Sequence, residues 1–112
     1  MENGEGAREL INTIYDIRCK IAEKVIKNEE MKKDVFIAEH YTMSAIIGEY
    51  DAHGKPKFSN AESRAAEQCF RLSNNKIYKT SLKEILVLKK EIMLLEAEIE
   101  KNKNILEVIY LQ

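Results

Sequence analysis

Apolar residues in the last third of the chain recur at the spacing of a coiled coil. If Ile85 is position a of a heptad, apolar side chains fill seven of the eight a and d positions through Ile109. The exception is Asn102, a polar residue of the kind that fixes register or partner number at a cost in stability. We therefore predict a dimer or coiled-coil seam formed by Ile85, Leu88, Ile92, Leu95, Ile99, Asn102, Leu106 and Ile109.

The apolar stripe of this segment is wider than a two-helix seam needs. Several apolar residues lie outside the a and d positions, namely Leu86, Val87, Met93, Leu94, Ile105 and Val108. A single partner would leave one flank of such a stripe in water, so a second neighbour must cover it. The N-terminal segment supplies one neighbour, because its apolar residues recur at compatible spacing from Leu10 to Ala45.

Turn-forming residues divide the chain into helices. Gly and Pro cluster at residues 51–58, which we predict to be a turn. Ser59 and Glu62 have the spacing of a capping box, and three capping-type residues at 73–75 predict a break. We therefore predict helices over about residues 7–50, 60–72 and 76–111. The polar stretch around Asn28 predicts a bend, a fray or a buried polar step in the first helix.

Composition favours helix throughout. The 112 residues include only four Gly and one Pro, while 45% are hydrophobic and 33% are charged. The predicted fold class is all-α: a single domain, residues 1–112, forming a long antiparallel helical hairpin or coiled coil with a kinked or broken second arm. An extended hairpin has little depth for a core, so we expect a homodimer to complete it.

Charge is strongly sorted along the sequence. Residues 1–52 carry seven basic and eleven acidic side chains, residues 53–90 carry nine and three, and residues 91–112 carry two and five. The segment net charges are therefore −4, +6 and −3. A basic block between acidic ends predicts a contact surface for an anionic partner, either a nucleic-acid backbone or the acidic face of another protein.

The basic residues can be placed on the turn and on the helices that follow it. Lysines at 76, 79, 83 and 90 are spaced by three, four and seven residues, so they share a helix face. Aromatic, amide and hydroxyl side chains lie among them, as in backbone binders. The predicted nucleic-acid or partner-binding residues are Lys55, Lys57, Arg64, Arg71, Lys76 and Lys79.

Part of this basic surface can be explained without a ligand. Lysines beside an apolar seam are ordinarily just solvated surface, and Phe70 and Tyr78 have spacing that suits a core position. In a folded hairpin, residues 30–50 run beside residues 60–80, so Glu39, Glu49 and Asp51 are expected to neutralise part of the stripe. Lys55, Lys57 and Arg64, nearest the predicted tip, would then contribute most to binding.

Neither catalysis nor metal binding is predicted. The histidines, His40 and His53, have no second ligand at metal spacing, and no phosphate-binding glycine loop or nucleophile motif occurs. We expect a protein that is not an enzyme, with no cofactor and no metal. The chain starts without the basic and apolar pattern of a secretory signal, and no apolar run approaches about 20 residues. We therefore expect a cytoplasmic protein without a membrane partner.

The segment from Gly54 to Arg64, Gly-Lys-Pro-Lys-Phe-Ser-Asn-Ala-Glu-Ser-Arg, resembles a turn pattern of small hairpin proteins from phages, prophages and other mobile elements. The resemblance covers residues 48–112 and includes the polar break at 73–75, Tyr78 and the terminal pair Tyr110-Leu111. It implies an accessory role in phage recombination or replication, or a small host-defence inhibitor such as an anti-CRISPR protein. It assigns no catalytic residue.

Two functions follow as expectations. The first is a non-enzymatic, homodimeric accessory protein that binds the DNA backbone through the basic hairpin tip. The alternative is a protein-binding inhibitor or adaptor of mobile-element origin, which would block the nucleic-acid-binding surface of a nuclease.

Overall fold

The chain is built from three α-helices. The computed structural model describes residues 3–111; Met1 and Glu2, the first residues of the segment in which no secretory signal is expected, lie outside the described residues, as does Gln112. The helices are α1 (Asn3–Ile47), α2 (Ala61–Ser73) and α3 (Lys76–Leu111). The predicted all-α hairpin with a broken second arm is confirmed. α1 begins and ends earlier than the sequence pattern suggested. It ends before Gly48, a residue that disfavours helix.

Two compact units make up the fold, and each is described by itself. Unit 1 combines the N-terminal segment up to Asn28 with the chain from Leu86 onward, and unit 2 is Glu29–Ile85. α1 is an uninterrupted helix through Asn28. Of the three alternatives predicted for this stretch, the fray is therefore absent.

Unit 1 is an antiparallel pair formed by the first part of α1 and most of α3. Ile14, Ile17 and Ile99 form its buried cluster, against which Ile21 and Leu95 pack. Further along α1, Lys24 Nζ lies 2.5 Å from Glu91 Oε2. Residues further along α1 thus contact residues nearer the start of α3, so the two helices run in opposite directions.

The predicted seam faces inward within the chain. Leu88 and Ile99 are buried, and the other six seam residues are half-buried. Because Leu95 and Ile99 contact α1 residues of the same chain, the seam of unit 1 is occupied without a second copy. Dimerisation stays a prediction.

The seam of α1 includes a buried polar step. Asn28 is half-buried, and its Oδ1 atom is buried without a hydrogen bond from any residue that the structure describes. One of the three outcomes predicted for this stretch, a buried polar residue, is therefore present. An unsatisfied carbonyl oxygen in this position lowers the stability of the fold.

Unit 2 contains the end of α1, the whole of α2 and the start of α3. Its buried side chains are Ile46, which is fully inaccessible, Leu72 and Ser81. Two hydrogen bonds converge on Glu39 of α1: Gln68 Nε2 donates to its backbone oxygen at 3.0 Å, and the Tyr78 hydroxyl donates to Oε1 at 3.1 Å. Glu39 thus joins all three helices within this unit.

The start of α2 corrects the predicted capping box. The N-cap is Asn60, not Ser59, and its reciprocal partner is Ser63, not Glu62. Ser63 N donates to Asn60 Oδ1 at 2.7 Å, and Asn60 N donates to Ser63 Oγ at 3.3 Å. Asn60 rather than Ser59 is the N-cap because Asn is at least as good an N-cap as Ser, and Asn60 adopts the extended backbone that the position requires.

The predicted break after α2 is present. Asn74 is the C-cap of α2, and its backbone N–H points at the carbonyls of Arg71 and Leu72. Asn75 Oδ1 then accepts from Tyr78 N at 3.1 Å, which caps the first turn of α3. Two adjacent asparagines therefore end one helix and start the next.

Candidate nucleic-acid interface

The segment between α1 and α2 closes into a small hairpin. Lys57 N donates to Glu49 O at 3.0 Å and Asp51 N to Lys55 O at 2.8 Å. The Asp51 carboxylate accepts from the backbone N–H of His53 at 2.8 Å and of Lys55 at 3.0 Å. Gly54 takes the left-handed backbone conformation that the bend needs, with φ of 76°. The Asp51 carboxylate is thus hydrogen-bonded within its own loop, and it forms no ion pair with a basic side chain in residues 3–111.

The hairpin presents two of the predicted binding residues to solvent. Lys55 and Lys57 are both exposed, and the Lys57 ammonium lies 5.7 Å from the centroid of the Phe58 ring. A cation at that distance from a ring face is attracted to it. Phe58 therefore holds Lys57 near the loop surface while leaving its charge accessible.

Arg71 is committed to contacts within unit 2. Its guanidinium bonds Glu67 Oε1 through Nε at 2.9 Å, bonds Glu49 through Nη2, and lies 5.8 Å from the Phe58 ring centroid. The hydrogen bonds that Arg71 donates to Glu67, and then to Glu49, raise the pKa of Arg71 above its ordinary value. Two carboxylates balance this charge, as expected for Glu49, so Arg71 joins the loop to α2 rather than presenting a free cation.

Arg64 also contacts the loop. It lies in the first turn of α2, is half-buried, and its Nη1 donates to the Phe58 backbone oxygen at 3.4 Å. No carboxylate neutralises Arg64 among the described residues, so its charge remains available to a ligand that approaches the loop.

The start of α3 carries the most open basic group of unit 2. Lys76, Lys79 and Lys83 line a recess of about 350 Å³ together with Ser73, Asn74 and Thr80, and we call this group the lysine recess. All three lysines are exposed, and none forms an ion pair with a residue in 3–111. The first turn of α3 contains no acidic residue. Positive charge is therefore concentrated here without internal compensation.

Tyr78 lies near the lysine recess in sequence but turns inward. Its hydroxyl donates to Glu39 Oε1, and burial, followed by this hydrogen bond, raises the pKa of the phenol above its ordinary value. Burial penalises the phenolate, and the neighbouring carboxylate repels it. Tyr78 is thus a structural residue rather than a stacking platform for bases.

The raised pKa of Tyr78 predicts a loss of stability in alkali. Above about pH 10 the unfolded chain releases the phenolic proton while the folded chain retains it, so the unfolded state binds fewer protons and unfolding becomes easier as pH rises. We expect Tyr78→Phe to remove this contribution. Phenolate absorbance of the wild type minus that of Tyr78→Phe should give a midpoint above about 10; a midpoint below that value would contradict the hydrogen bond from Tyr78 to Glu39.

The described residues show neither a metal centre nor a membrane span. Within 3–111, no three His, Cys, Asp or Glu side chains are grouped in a way that could hold a metal ion. In the same range, none of the helices combines the length and the apolar character that crossing a bilayer requires.

Comparison with known proteins adds no relatives. No protein-family model matches the chain, and neither does any curated protein or solved structure. The resemblance to hairpin proteins of phages and mobile elements therefore stays a prediction.

The structure divides the six predicted binding residues by environment. Lys55 and Lys57 lie exposed on the loop, Lys76 and Lys79 line the lysine recess, Arg64 is half-buried, and Arg71 is ion-paired. Lys83 completes the recess although it lay outside the predicted set. The spacing of Lys83 from Lys76 and Lys79 in the sequence had already placed it on the same helix face.

Proposed function

We propose that this protein is a non-enzymatic, cytoplasmic accessory protein that binds the nucleic-acid backbone through unit 2. The observation that carries the proposal is the lysine recess, in which three unpaired lysines surround an open polar space. Lysines neutralise phosphates and release condensed counterions, which supplies most of the free energy of binding without sequence preference.

The polar lining of the recess suits a sugar-phosphate chain. Ser73, Asn74 and Thr80 provide hydroxyl and amide groups beside the lysines, and such groups bond phosphate and sugar oxygens. The lysines follow one another on successive turns of α3, so a strand lying along the helix would meet them in order. Lys55 and Lys57 on the loop add two exposed cations to the same unit.

Charge reversal of the lysine recess tests the proposal. We expect Lys76→Glu/Lys79→Glu/Lys83→Glu to weaken binding of a fluorescent single-stranded oligonucleotide by at least about 10-fold at low salt, measured by anisotropy. Because three phosphate contacts are removed, the slope of log K against log salt should fall by about 2.

A control separates the recess from net charge. Lys20→Glu/Lys32→Glu/Lys33→Glu changes the net charge equally at three exposed lysines of α1. We expect this variant to bind within about threefold of the wild type. Equal losses for both variants, or no binding by the wild type at micromolar concentration, would contradict the proposal.

A second candidate function, a protein inhibitor or adaptor, is favoured by exposed aromatic side chains on α1 in unit 2. Phe36 is 60% and Tyr41 76% exposed, and the His40 ring lies 4.1 Å from that of Phe36. Aromatic residues are enriched where proteins bind one another. A wild-type chain that binds no oligonucleotide but retains a protein partner after nuclease treatment would support this candidate.

A further inference from the structure

The aromatic ring of Phe70 lies on the surface of α2. Its spacing in the sequence suggested a core position, but the side chain is 65% exposed. Leu72, the buried residue of α2, is two positions further on, about 200° round the helix axis, so the two side chains lie on opposite sides of the helix. The core interpretation of Phe70 is therefore wrong, and its ring is accessible to a ligand.

Phe70 lies beside the lysine recess. Ser73 and Asn74, which line the recess, are three and four residues after Phe70 and so share its side of α2. Both side chains bond back to the Phe70 backbone oxygen, to which Ser73 Oγ donates at 2.7 Å and Asn74 Nδ2 at 2.9 Å. Only one turn of helix, about 5.4 Å along the axis, separates Phe70 from the polar edge of the recess.

The surroundings of Phe70 on α2 suit a nucleic-acid base better than an apolar protein surface. The helix positions that adjoin it, three and four residues away, are all small or polar: Ala66, Glu67, Ser73 and Asn74. Sites that bind proteins most strongly instead cluster several large side chains in one packed patch. A single accessible ring beside a group of cations is the arrangement that binders of single strands use, with bases on the ring and phosphates on the cations.

We propose that Phe70 is a stacking platform for a base of a strand whose phosphates lie in the lysine recess, so that the ligand of unit 2 is single-stranded nucleic acid. The inference rests on the proposed function, because the recess must hold the phosphates for the ring to meet a base. Bases within a duplex are stacked on one another, whereas those of a single strand can turn out onto an aromatic side chain. Every base has a face that stacks, so the contact adds affinity with little sequence preference.

Removal of the ring tests the base contact. The probes are a fluorescent oligothymidylate of about 12 nucleotides and an abasic strand of the same length, which keeps the phosphates and lacks the bases. We expect Phe70→Ala to weaken binding of oligothymidylate on the order of 10-fold in anisotropy titrations at low salt. Binding of the abasic strand should change by less than about twofold, because that strand has nothing to stack on the ring.

Two control variants separate the base contact from the phosphate contacts and from the loss of a ring elsewhere. Lys76→Glu/Lys79→Glu/Lys83→Glu should weaken binding of both probes, since both carry phosphates. Tyr15→Ala removes a ring that is 67% exposed, close to the value for Phe70, but that lies in unit 1. We expect Tyr15→Ala to bind both probes as the wild type does. Far-UV circular dichroism must show the same helix content for the variants and the wild type.

Failure of the base contact and failure of the proposed function give different results. Equal affinities of the wild type for the two probes, or equal losses of both probes in Phe70→Ala, would overturn the base contact. The charge-reversal variant would in that case still weaken binding, and the proposed function would stand. A wild type that binds neither probe would overturn both.

Fluorescence provides a direct test of stacking. Because the chain contains no tryptophan, Phe70→Trp introduces a single indole fluorophore at this position. We expect saturating oligothymidylate to quench its emission and the abasic strand to leave it unchanged, while Tyr15→Trp, the control, is quenched by neither. Oligouridylate of the same length is the RNA arm: quenching of Phe70→Trp by either strand supports the proposal, and the tighter of the two identifies the sugar. Unchanged emission with both strands at saturation would overturn it.

Discussion

Ile46→Ala is expected to lower the free energy of unfolding by about 3 kcal/mol. The Ile46 side chain is fully inaccessible, and it lies at the end of α1 in unit 2. Truncation would remove buried methyl and methylene groups and leave a cavity that the surrounding helices can only partly fill. The effect should be large because few other side chains of this unit are buried.

Urea titrations followed by circular dichroism, at one fixed protein concentration, measure this effect. Ile47→Ala is the control, since the neighbouring side chain is 55% exposed and the substitution is the same. We expect Ile47→Ala to change the free energy of unfolding by less than about 1 kcal/mol. Similar losses for the two variants would show that Ile46 is not the centre of the core of unit 2.

Asn28→Leu is expected to raise the free energy of unfolding by about 1–2 kcal/mol. The Asn28 Oδ1 atom is buried and has no donor among the described residues, so the folded state bears the cost of its desolvation. Leucine at this seam position of α1 removes the unsatisfied acceptor and adds buried apolar surface. We expect a higher midpoint in urea, with no change in the slope of the free energy of unfolding against urea concentration.

Asn12→Leu is the control for this gain. Asn12 lies on the same helix but is exposed, so the substitution buries nothing and should raise the midpoint only by the helix-propensity gain of a few tenths of a kcal/mol that both variants share. A midpoint for Asn28→Leu at or below that of the wild type would show that Oδ1 is hydrogen-bonded in solution.

Local sequence signals predicted most of the helices. The heptad repeat from Ile85 predicted α3 and its inward side, because a 3.5-residue period places the a and d side chains in one row. The capping residues at 73–75 predicted the break between α2 and α3. The capping box of α2 was placed one residue too early, because Ser59 and Asn60 are both good N-caps and backbone geometry decided between them.

The candidate site was less predictable than the helices. Spacing alone grouped Lys76, Lys79 and Lys83 on one face, since all three are in one helix. Arg71 could not be judged from spacing, because its partner Glu49 is 22 residues away and reaches it only through the packing of unit 2. Tyr78 likewise points to Glu39, which is 39 residues distant.

The sequence by itself therefore determined the all-α class, the positions of the turn and the break, and the sorting of charge, since each depends on residues within a few turns of one another. The tertiary structure decided which charges are neutralised and which apolar side chains are covered. Those properties depend on contacts between distant segments: Glu49 neutralises Arg71, and α1 covers the seam of α3.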